Sequence, residues 1–217
     1  MRLRIRAIPA IPIVALLLLQ VAAAQMPPQF SPFSADMDFT SSRNGRGPHE
    51  LAGKIYITRE HMRMDMQNGP PGGAVYITNF ATKTSDALMP AQHMYMEFKY
   101  DEAMARRPGM GPNIRPFSDP NNPCAYQEGA TCKNLGVEQV NGRSADHWQI
   151  TDKNGKVNNV WVDQKLHFPI KSVSPDGTWE LTNIKEGDQA ASLFEIPPGY
   201  QKMDMGQMMQ GMHPPQQ

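Results

Sequence analysis

The sequence lacks the features that mark many enzymes and most nucleic-acid-binding proteins. It contains no His-Glu-x-x-His motif, no Gly-x-Ser-x-Gly motif and no glycine-rich loop of the kind that cradles a phosphate. Its 21 basic residues are scattered among 21 acidic ones, whereas a nucleic-acid partner requires clustered positive charge. We therefore expect a protein that is not an enzyme, uses no cofactor and binds no nucleic acid.

Long apolar runs are also missing, except for one at the start of the chain. Residues 1–24 combine three arginines with the run "IPIVALLLLQVA" and end in three alanines, which is the pattern of a signal peptide cleaved near Ala24. This run is shorter than the roughly 20 residues that span a bilayer, and Pro12 interrupts it. We expect a soluble periplasmic or secreted protein with no transmembrane anchor in the mature chain. Loss of the leader leaves 18 basic and 21 acidic residues, a net charge of −3.

Cysteine is scarce. The only two, Cys124 and Cys132, lie close together in a stretch rich in turn-forming residues. In an oxidising compartment such a pair is most often a structural disulfide. A redox-active pair usually has the tighter Cys-x-x-Cys spacing, and a zinc site needs two more ligands nearby. The sequence therefore predicts a disulfide that closes a short loop.

The sequence is rich in segments with period-two alternation, such as "GKIYIT", "GAVYIT", "NNVWVDQ" and "TWELTNI". Asn-Gly in "DKNGK" and Asp-Gly in "SPDGT" indicate tight hairpin turns. Only Tyr100 to Arg107 is typical of a short helix, and Pro108 to Thr131 is a long loop. The pattern predicts a mainly β protein with one antiparallel domain over residues 25–200. A flexible tail rich in methionine and glutamine follows over residues 201–217.

Methionine alternates with polar residues in "HMRMDM" and "HMYMEF". Residues two apart on a strand share a face, so the methionines of each segment should line one side of the sheet. Core packing would explain such a stripe, but flexible and polarizable methionines also suit a surface that accepts varied apolar ligands. We predict a hydrophobic wall formed by these methionines, and by four apolar neighbours if their strands present the same face. The predicted wall residues are Met62, Met64, Met66, Met94, Met96, Ile55, Ile57, Val75 and Ile77.

Two alternatives remain open for the same residue types. Thioether and imidazole groups select copper, especially Cu(I), although His61 and Met62 should point to opposite faces of their strand. The methionines and the histidine of the tail are not fixed to opposite faces of a strand, so they could point at one metal ion. An alternative copper site there would use Met203, Met205, Met208, Met209, Met212 and His213. The other alternative is a noncatalytic structural or envelope-assembly factor with a filled core.

The second half of the chain carries a family resemblance. The segments "LGVEQVNGRSADHWQI", "VWVDQKLHFPIKSV" and "ELTNIKEGDQAASLFEIPPGYQKM" resemble an uncharacterised exported bacterial family known as a domain of unknown function, DUF4412, which is similar to the LolA/LolB-like lipoprotein carriers. The resemblance spans roughly Phe33 to Met203, and its most specific parts are Val140 to Arg143 and Ile196 to Tyr200.

This resemblance implies a fold and a class of ligand. It implies a strongly curved antiparallel sheet with one or two short helices, forming an open half-barrel whose concave face holds acyl chains. The implied partner is a lipid, a lipidated protein such as a lipoprotein, or another hydrophobic molecule. No residue of this chain matches a functional position of the carriers, so no residue role is implied.

Overall fold

A computed structural model describes residues 31–41, 49–67, 73–99, 122–124 and 129–203. These residues form twelve strands of one sheet and two short 3-10 helices, Pro90–Gln92 and Ala191–Phe194. The strands are β1 (Phe33–Ser41), β2 (His49–Ile57), β3 (His61–Met66), β4 (Ala74–Asn79), β5 (Thr84–Met89), β6 (Met94–Lys99), β7 (Thr131–Val140), β8 (Arg143–Thr151), β9 (Val157–Asp163), β10 (Phe168–Ser174), β11 (Gly177–Glu186) and β12 (Gln201–Lys202). The predicted fold, a mainly β protein built on one large, curved and unclosed antiparallel sheet, is confirmed.

The strand order is β12-β6-β5-β4-β3-β2-β1-β11-β10-β9-β8-β7. Strands β1 to β6 form one antiparallel meander, and β7 to β11 form a second. The two meanders join where β1 pairs with β11. The short strand β12 is the exception to the antiparallel pattern, because it runs parallel to β6. Strands β12 and β7 lie at opposite ends of the order, so the sheet remains open.

Tight turns connect several of these strands. The predicted Asn-Gly and Asp-Gly turns connect β8 to β9 and β10 to β11. A third turn, Asn141–Gly142, connects β7 to β8 with both residues at positive φ, 51° and 77°. That combination suits a two-residue hairpin turn and is the reason that Asn-Gly is favoured there. The Asn141 side chain also donates a hydrogen bond to the Leu181 carbonyl at 3.2 Å, which links this turn to β11.

Arg143, which follows this turn, pairs with a buried carboxylate. Its Nε lies 2.5 Å from Oδ2 of Asp163, a residue that is 1% exposed. The other carboxylate oxygen of Asp163 accepts hydrogen bonds from the backbone N–H groups of Lys165 and Leu166. A buried charge is tolerated only when it is paired and hydrogen-bonded in this way. Within the segment Val140 to Arg143, the arginine therefore joins the β7–β8 hairpin to the turn between β9 and β10.

The C-terminal segment crosses one face of the sheet and then joins its edge. We call residues 187–203 the C-terminal strap. Arg63 of β3 donates a hydrogen bond to the Leu193 carbonyl at 2.8 Å, and Phe194 stacks on His61 with ring centroids 5.3 Å apart. The backbone N–H of Gln201 then donates to the His93 carbonyl at 2.9 Å.

Strand β12, Gln201–Lys202, lies at the start of the tail that the sequence predicts for residues 201–217. The remainder of that tail, residues 204–217, lies outside the described residues, as do the predicted signal peptide, the predicted helix from Tyr100 to Arg107 and most of the predicted loop.

Candidate functional site

The methionines lie on one face of the sheet, which is the face that carries the buried core. Met64 lies opposite Ile55 on β2 and opposite Tyr76 on β4. Farther along the same face, Ala87 on β5 lies opposite Met96 on β6. Following these pairings, the five predicted methionines, together with Ile55 and Ile57, share one face, which we call the inner face. The buried core that includes Met62, Met64 and Met66 lies on this side of β1 to β3.

Two predicted wall residues lie on the opposite, outer face. Val75 pairs with Asp65, and Ile77 pairs with Arg63. Both partners point away from the methionines, so Val75 and Ile77 do not meet the condition of a shared face on which they were predicted as wall residues. Ile77 is nevertheless only 4% exposed, and the C-terminal strap contacts the outer face of the adjacent strand β3 through Arg63 and His61. Alternation therefore did not identify the inner face of this strand.

Burial decreases across the inner face from its centre toward β6. Ile55 and Ile57 are fully buried, and Met62, Met64 and Met66 are between 4% and 8% exposed. On the inner face of β4 to β6 the apolar side chains are only half-buried. These half-buried side chains are Tyr76, Ala87, Met89, Met94, Met96 and Phe98. We call this set, on β4 to β6, the open arm of the inner face.

The inner face of β1 to β6 is uncharged. Every Asp, Glu, Lys and Arg of these strands lies on the outer face, as the alternation in "HMRMDM" illustrates. One buried polar pair is present on the inner face, Thr78 and Ser85, and their hydroxyl oxygens are 2.8 Å apart in a shared hydrogen bond. Because each hydroxyl satisfies the other, the pair leaves the surface effectively apolar.

A second apolar cluster lies on β8 and β9 and is separate from the core that contains the methionines. It consists of Ile150, Val160 and Val162, and the two cysteines pack against it. Cys124 and Cys132 are disulfide-bonded, with their Cα atoms 5.8 Å apart, which confirms the predicted pair. The disulfide therefore fixes the short segment around Cys124 against this end of the sheet.

Trp148 belongs to the same cluster and was not identified from the sequence. It lies opposite Val160 on β9, and its indole Nε1 is buried without a hydrogen-bond partner among the described residues. Two polar groups lie on the same face of the next strands. Ser172 of β10 donates a hydrogen bond to Oδ1 of Asn158 at 2.9 Å. The alternation in "DHWQI" places Trp148 on the same face as Ile150, but no sequence pattern indicates that its N–H lacks a partner.

The face of β7 to β9 opposite Trp148 carries a closed polar network. Glu138 accepts hydrogen bonds from Trp161 Nε1 and from His147 Nδ1, both at 2.8 Å. These two contacts, that of Trp161 foremost, lower the pKa of Glu138. The His147 ring also stacks on Trp161 with centroids 4.2 Å apart. His147 is therefore held by its neighbours on several sides, as a structural histidine is.

Two further clefts have charged linings. One of about 390 Å³ lies on the outer face beside Asp36 and Lys54. The other, of about 470 Å³, lies beside Arg59, Glu60 and Asp188. Their charges distinguish both from the uncharged inner face. In the described part of the chain, no three His, Cys, Asp or Glu side chains are grouped as metal ligands would be, and no helix has the length and apolar character needed to cross a membrane.

Solved structures resemble this fold at low sequence identity. An uncharacterized conserved protein from Thermus thermophilus matches with 11% identity and a TM-score of 0.51, over 80% of this chain and 90% of that one. MucB matches with 13% identity and a TM-score of 0.50, over 79% of this chain and 59% of MucB. A LolA superfamily protein from Nitrosomonas europaea matches with 11% identity and a TM-score of 0.39, over 77% of this chain and 91% of that one. At these identities the likeness concerns the fold alone.

The sequence itself matches one family. No curated protein matches the chain. The model of DUF4412, described as a domain of unknown function, matches residues 34–167, which is more than half of the chain and includes the methionine segments and Trp148. The resemblance inferred from the sequence is thereby confirmed, and the protein belongs to the DUF4412 family.

Proposed function

We propose that this protein binds the acyl chain of a lipid or of a lipidated partner on its inner face and catalyses no reaction. The observation that carries the proposal is the open arm. There an uncharged apolar surface on β4 to β6 remains half-buried in the described structure while the outer face of the same strands is charged. Contiguous apolar surface of this kind is typical of ligand-binding grooves.

The residue types of the open arm fit a flexible apolar ligand. Full burial of a methionine or phenylalanine side chain stabilises by about 1.5–3 kcal/mol relative to exposure. Met89, Met94, Met96 and Phe98 retain part of that free energy for a ligand, because each is only partly buried. Methionine adjusts its rotamer to the shape of its partner, so the surface tolerates chains of different length.

The location of the protein belongs to the same proposal. The disulfide between Cys124 and Cys132 is typical of an oxidising compartment, and the signal-peptide pattern of residues 1–24 supports export to the periplasm or beyond. An exported protein with an uncharged inner face suits the transfer or storage of lipids across an aqueous space.

The two alternatives receive no support from the described residues. The backbone N–H of Met203 donates to the Tyr95 carbonyl at 2.8 Å, and the other copper-ligand candidates of the tail lie outside the described residues. A structural factor with a filled core would be expected to bury the apolar inner face throughout, yet Met94, Met96 and Phe98 are half-buried.

Native mass spectrometry of the protein purified from its own envelope, followed by organic extraction, tests the proposal directly. We expect a retained lipid or acylated peptide. A second test uses Met96→Asp, which places a charge on the open arm and should weaken the binding of glycerol monolaurate at least 10-fold, because burying an unpaired charge is costly.

The matched control for that variant is Lys99→Asp, which places the same charge on the exposed outer face of the same strand and should bind like the wild type. A bare protein mass, together with no uptake of added glycerol monolaurate, would contradict the proposal. If Met96→Asp and Lys99→Asp bound glycerol monolaurate equally well, the open arm would not be the binding site.

A further inference from the structure

Ala87 has the smallest side chain of the open arm, and larger side chains surround it. Across the sheet it lies opposite Tyr76 of β4 on one side and opposite Met96 of β6 on the other. Met89 follows two residues along β5 and therefore points to the same face. Because the side chain of alanine ends at Cβ, the inner face has a gap above this residue, which we call the Ala87 gap.

The Ala87 gap is open to solvent. Ala87 is only half-buried, although β5 has a neighbouring strand on each side and large side chains flank the residue. If the side chains of Tyr76 and Met96 closed over the gap, the small side chain of Ala87 would be buried between them. Leu88, the next residue of β5, is larger and lies on the outer face, yet it is only 2% exposed. The exposure of Ala87 therefore indicates an unfilled space on the inner face.

The width of the gap restricts what it can hold. Neighbouring strands lie about 4.8 Å apart, so two spacings separate the backbones of β4 and β6 by about 10 Å. Non-bonded carbon atoms approach to about 4 Å. One row of ligand carbons between Tyr76 and Met96 needs two such contacts, about 8 Å, and fits. Two rows need three contacts, about 12 Å, and a branched or polycyclic hydrocarbon is thicker than one row, so neither fits.

The polarity of the gap agrees with a hydrocarbon occupant. On the inner face of β4 to β6 the described residues include no Asp, Glu, Lys or Arg, and Glu97 and Lys99 of β6 lie on the outer face. A charged head group placed above Ala87 would lose its hydration without gaining a partner of opposite charge. A hydrocarbon chain placed there removes apolar surface from water, which is favourable.

We infer that Ala87 is the specificity-determining residue of the open arm, and that the gap above it takes a single unbranched hydrocarbon chain, rather than two chains side by side or a branched or polycyclic hydrocarbon. This inference rests on the proposed function and names its ligand class. The chain packs between Tyr76 and Met96 with its carbons above Ala87. A free lipid and the chain of a lipidated protein share this chemistry.

Isothermal titration with two glycerol esters tests the inference on the full mature protein. The first probe is glycerol monolaurate, which has one linear chain. The second is the glycerol monoester of adamantane-1-carboxylic acid, which has the same head group and nearly the same number of carbon atoms folded into a cage. Both are used below their critical micelle concentrations. We expect the wild type to bind the linear ester at least 10-fold more tightly than the cage ester.

Ala87→Leu fills the gap with apolar atoms and adds no charge. It should weaken the binding of glycerol monolaurate at least 10-fold and reduce the preference for the linear ester. Because Ala87 is only half-buried, the added atoms enter open space rather than a packed core, so the melting temperature should not fall. Ala87→Val is a smaller change that keeps the test valid if Ala87→Leu misfolds, and its affinity should lie between those of the wild type and Ala87→Leu.

Ala52→Leu is the matched control, because it makes the same substitution at a half-buried alanine on the outer face of β2, where Ala52 pairs with Asp38. We expect it to bind both esters as the wild type does. Thermal unfolding checks that all three variants are folded.

The possible failures are distinguishable. If the wild type binds the cage ester as tightly as the linear one, or if folded Ala87→Leu and Ala87→Val bind glycerol monolaurate like the wild type, the inference about the gap is overturned while binding on the open arm stands. If the wild type binds neither ester, the proposed function itself is contradicted, and the inference falls with it.

Discussion

At the scale of single residues, the buried carboxyl group of Asp86 on the outer face of the sheet lowers the stability of the fold. It lies on β5 directly opposite Glu97 of β6, and its Oδ1 atom is buried without a hydrogen-bond partner within the described structure. Burial raises the pKa of Asp86, and the negative charge of Glu97 raises it further, while the Lys202 ammonium partly offsets both. The folded protein therefore holds the proton of Asp86 more tightly than the unfolded chain does.

This shift has a defined sign in the pH dependence of stability. Below the ordinary pKa of the carboxyl, 3.8, Asp86 is protonated in both states and costs nothing. As the pH rises from 3.8 through the raised pKa, the unfolded chain ionises first and the folded state loses stability. We expect Asp86→Asn to increase the free energy of unfolding by about 1 kcal/mol at neutral pH and to leave it unchanged at about pH 3.

Urea unfolding of both proteins across this pH range measures the effect. Asp152 provides a comparison of opposite sign, because hydrogen bonds from the backbone N–H groups of Lys156 and Asn154 lower its pKa. The stabilisation by ionised Asp152 is present at neutral pH and is lost as the pH falls through its lowered pKa. Asp152→Asn should therefore lower the free energy of unfolding at neutral pH. If the gain in the free energy of unfolding of Asp86→Asn over the wild type did not increase with pH, burial of the Asp86 carboxyl would not destabilise the fold.

At the scale of strands, Gly53 sets how closely β2 approaches β3. It lies on β2 between Met37 of β1 and Met66 of β3. A Cβ atom added to Gly53 would lie 2.4 Å from the Asp65 carbonyl oxygen, a separation that real Cβ atoms do not show. A side chain at this position would therefore have to push the two strands apart beneath the methionines.

We expect Gly53→Ala to lower the free energy of unfolding by about 1–3 kcal/mol, as overpacking usually does. It should also speed hydrogen exchange of the β2–β3 amides, including that of Gln67, which donates to the Ala52 carbonyl. Gly142→Ala is the control, because a Cβ there meets no atom within 4 Å and only the positive φ of 77° is unfavourable. If the Gln67 amide exchanged at similar rates in Gly53→Ala and Gly142→Ala, the predicted clash between a Cβ at Gly53 and the Asp65 carbonyl oxygen would be contradicted.

The strands also show what sequence patterns can and cannot predict. The alternation around Met62 to Met66 predicted one face correctly, because that face is buried and the other is charged. On β4 both faces are shielded, so the apolar residues Val75 and Ile77 marked the outer face rather than the inner one. Whether the Trp148 N–H finds a hydrogen-bond partner depends on residues far away in the sequence, so it cannot be predicted from the residues around Trp148.

At the scale of the whole molecule, the two edges of the sheet are protected in different ways. At one end, β12 of the strap covers β6. At the other end, β7 pairs only with β8 among the described strands and carries two exposed apolar side chains, Leu135 at 41% and Val137 at 57%. A bulge between Asn134 and Gly136 interrupts the regular pairing of β7 with β8, and bulges of this kind protect edge strands against pairing with other chains.

The strap should therefore be required for a monomeric fold. A chain truncated after Glu186 loses the contact from Arg63 to the Leu193 carbonyl and uncovers the edge of β6. It also removes the stacking of Phe194 on His61 and so uncovers the outer face of β3. An uncovered strand edge favours association between chains. We expect this truncated protein to elute as oligomers in size-exclusion chromatography and to unfold at a lower temperature.

A truncation after Met203 is the matched control, since it removes residues 204–217 but keeps β12 and every strap contact named above. It should match the full-length protein in elution and in melting temperature. Together the two truncations separate the strap, which is built into the sheet, from the methionine-rich tail that follows it. If the chain ending at Glu186 remained monomeric with an unchanged melting temperature, the strap would not be needed to protect this edge.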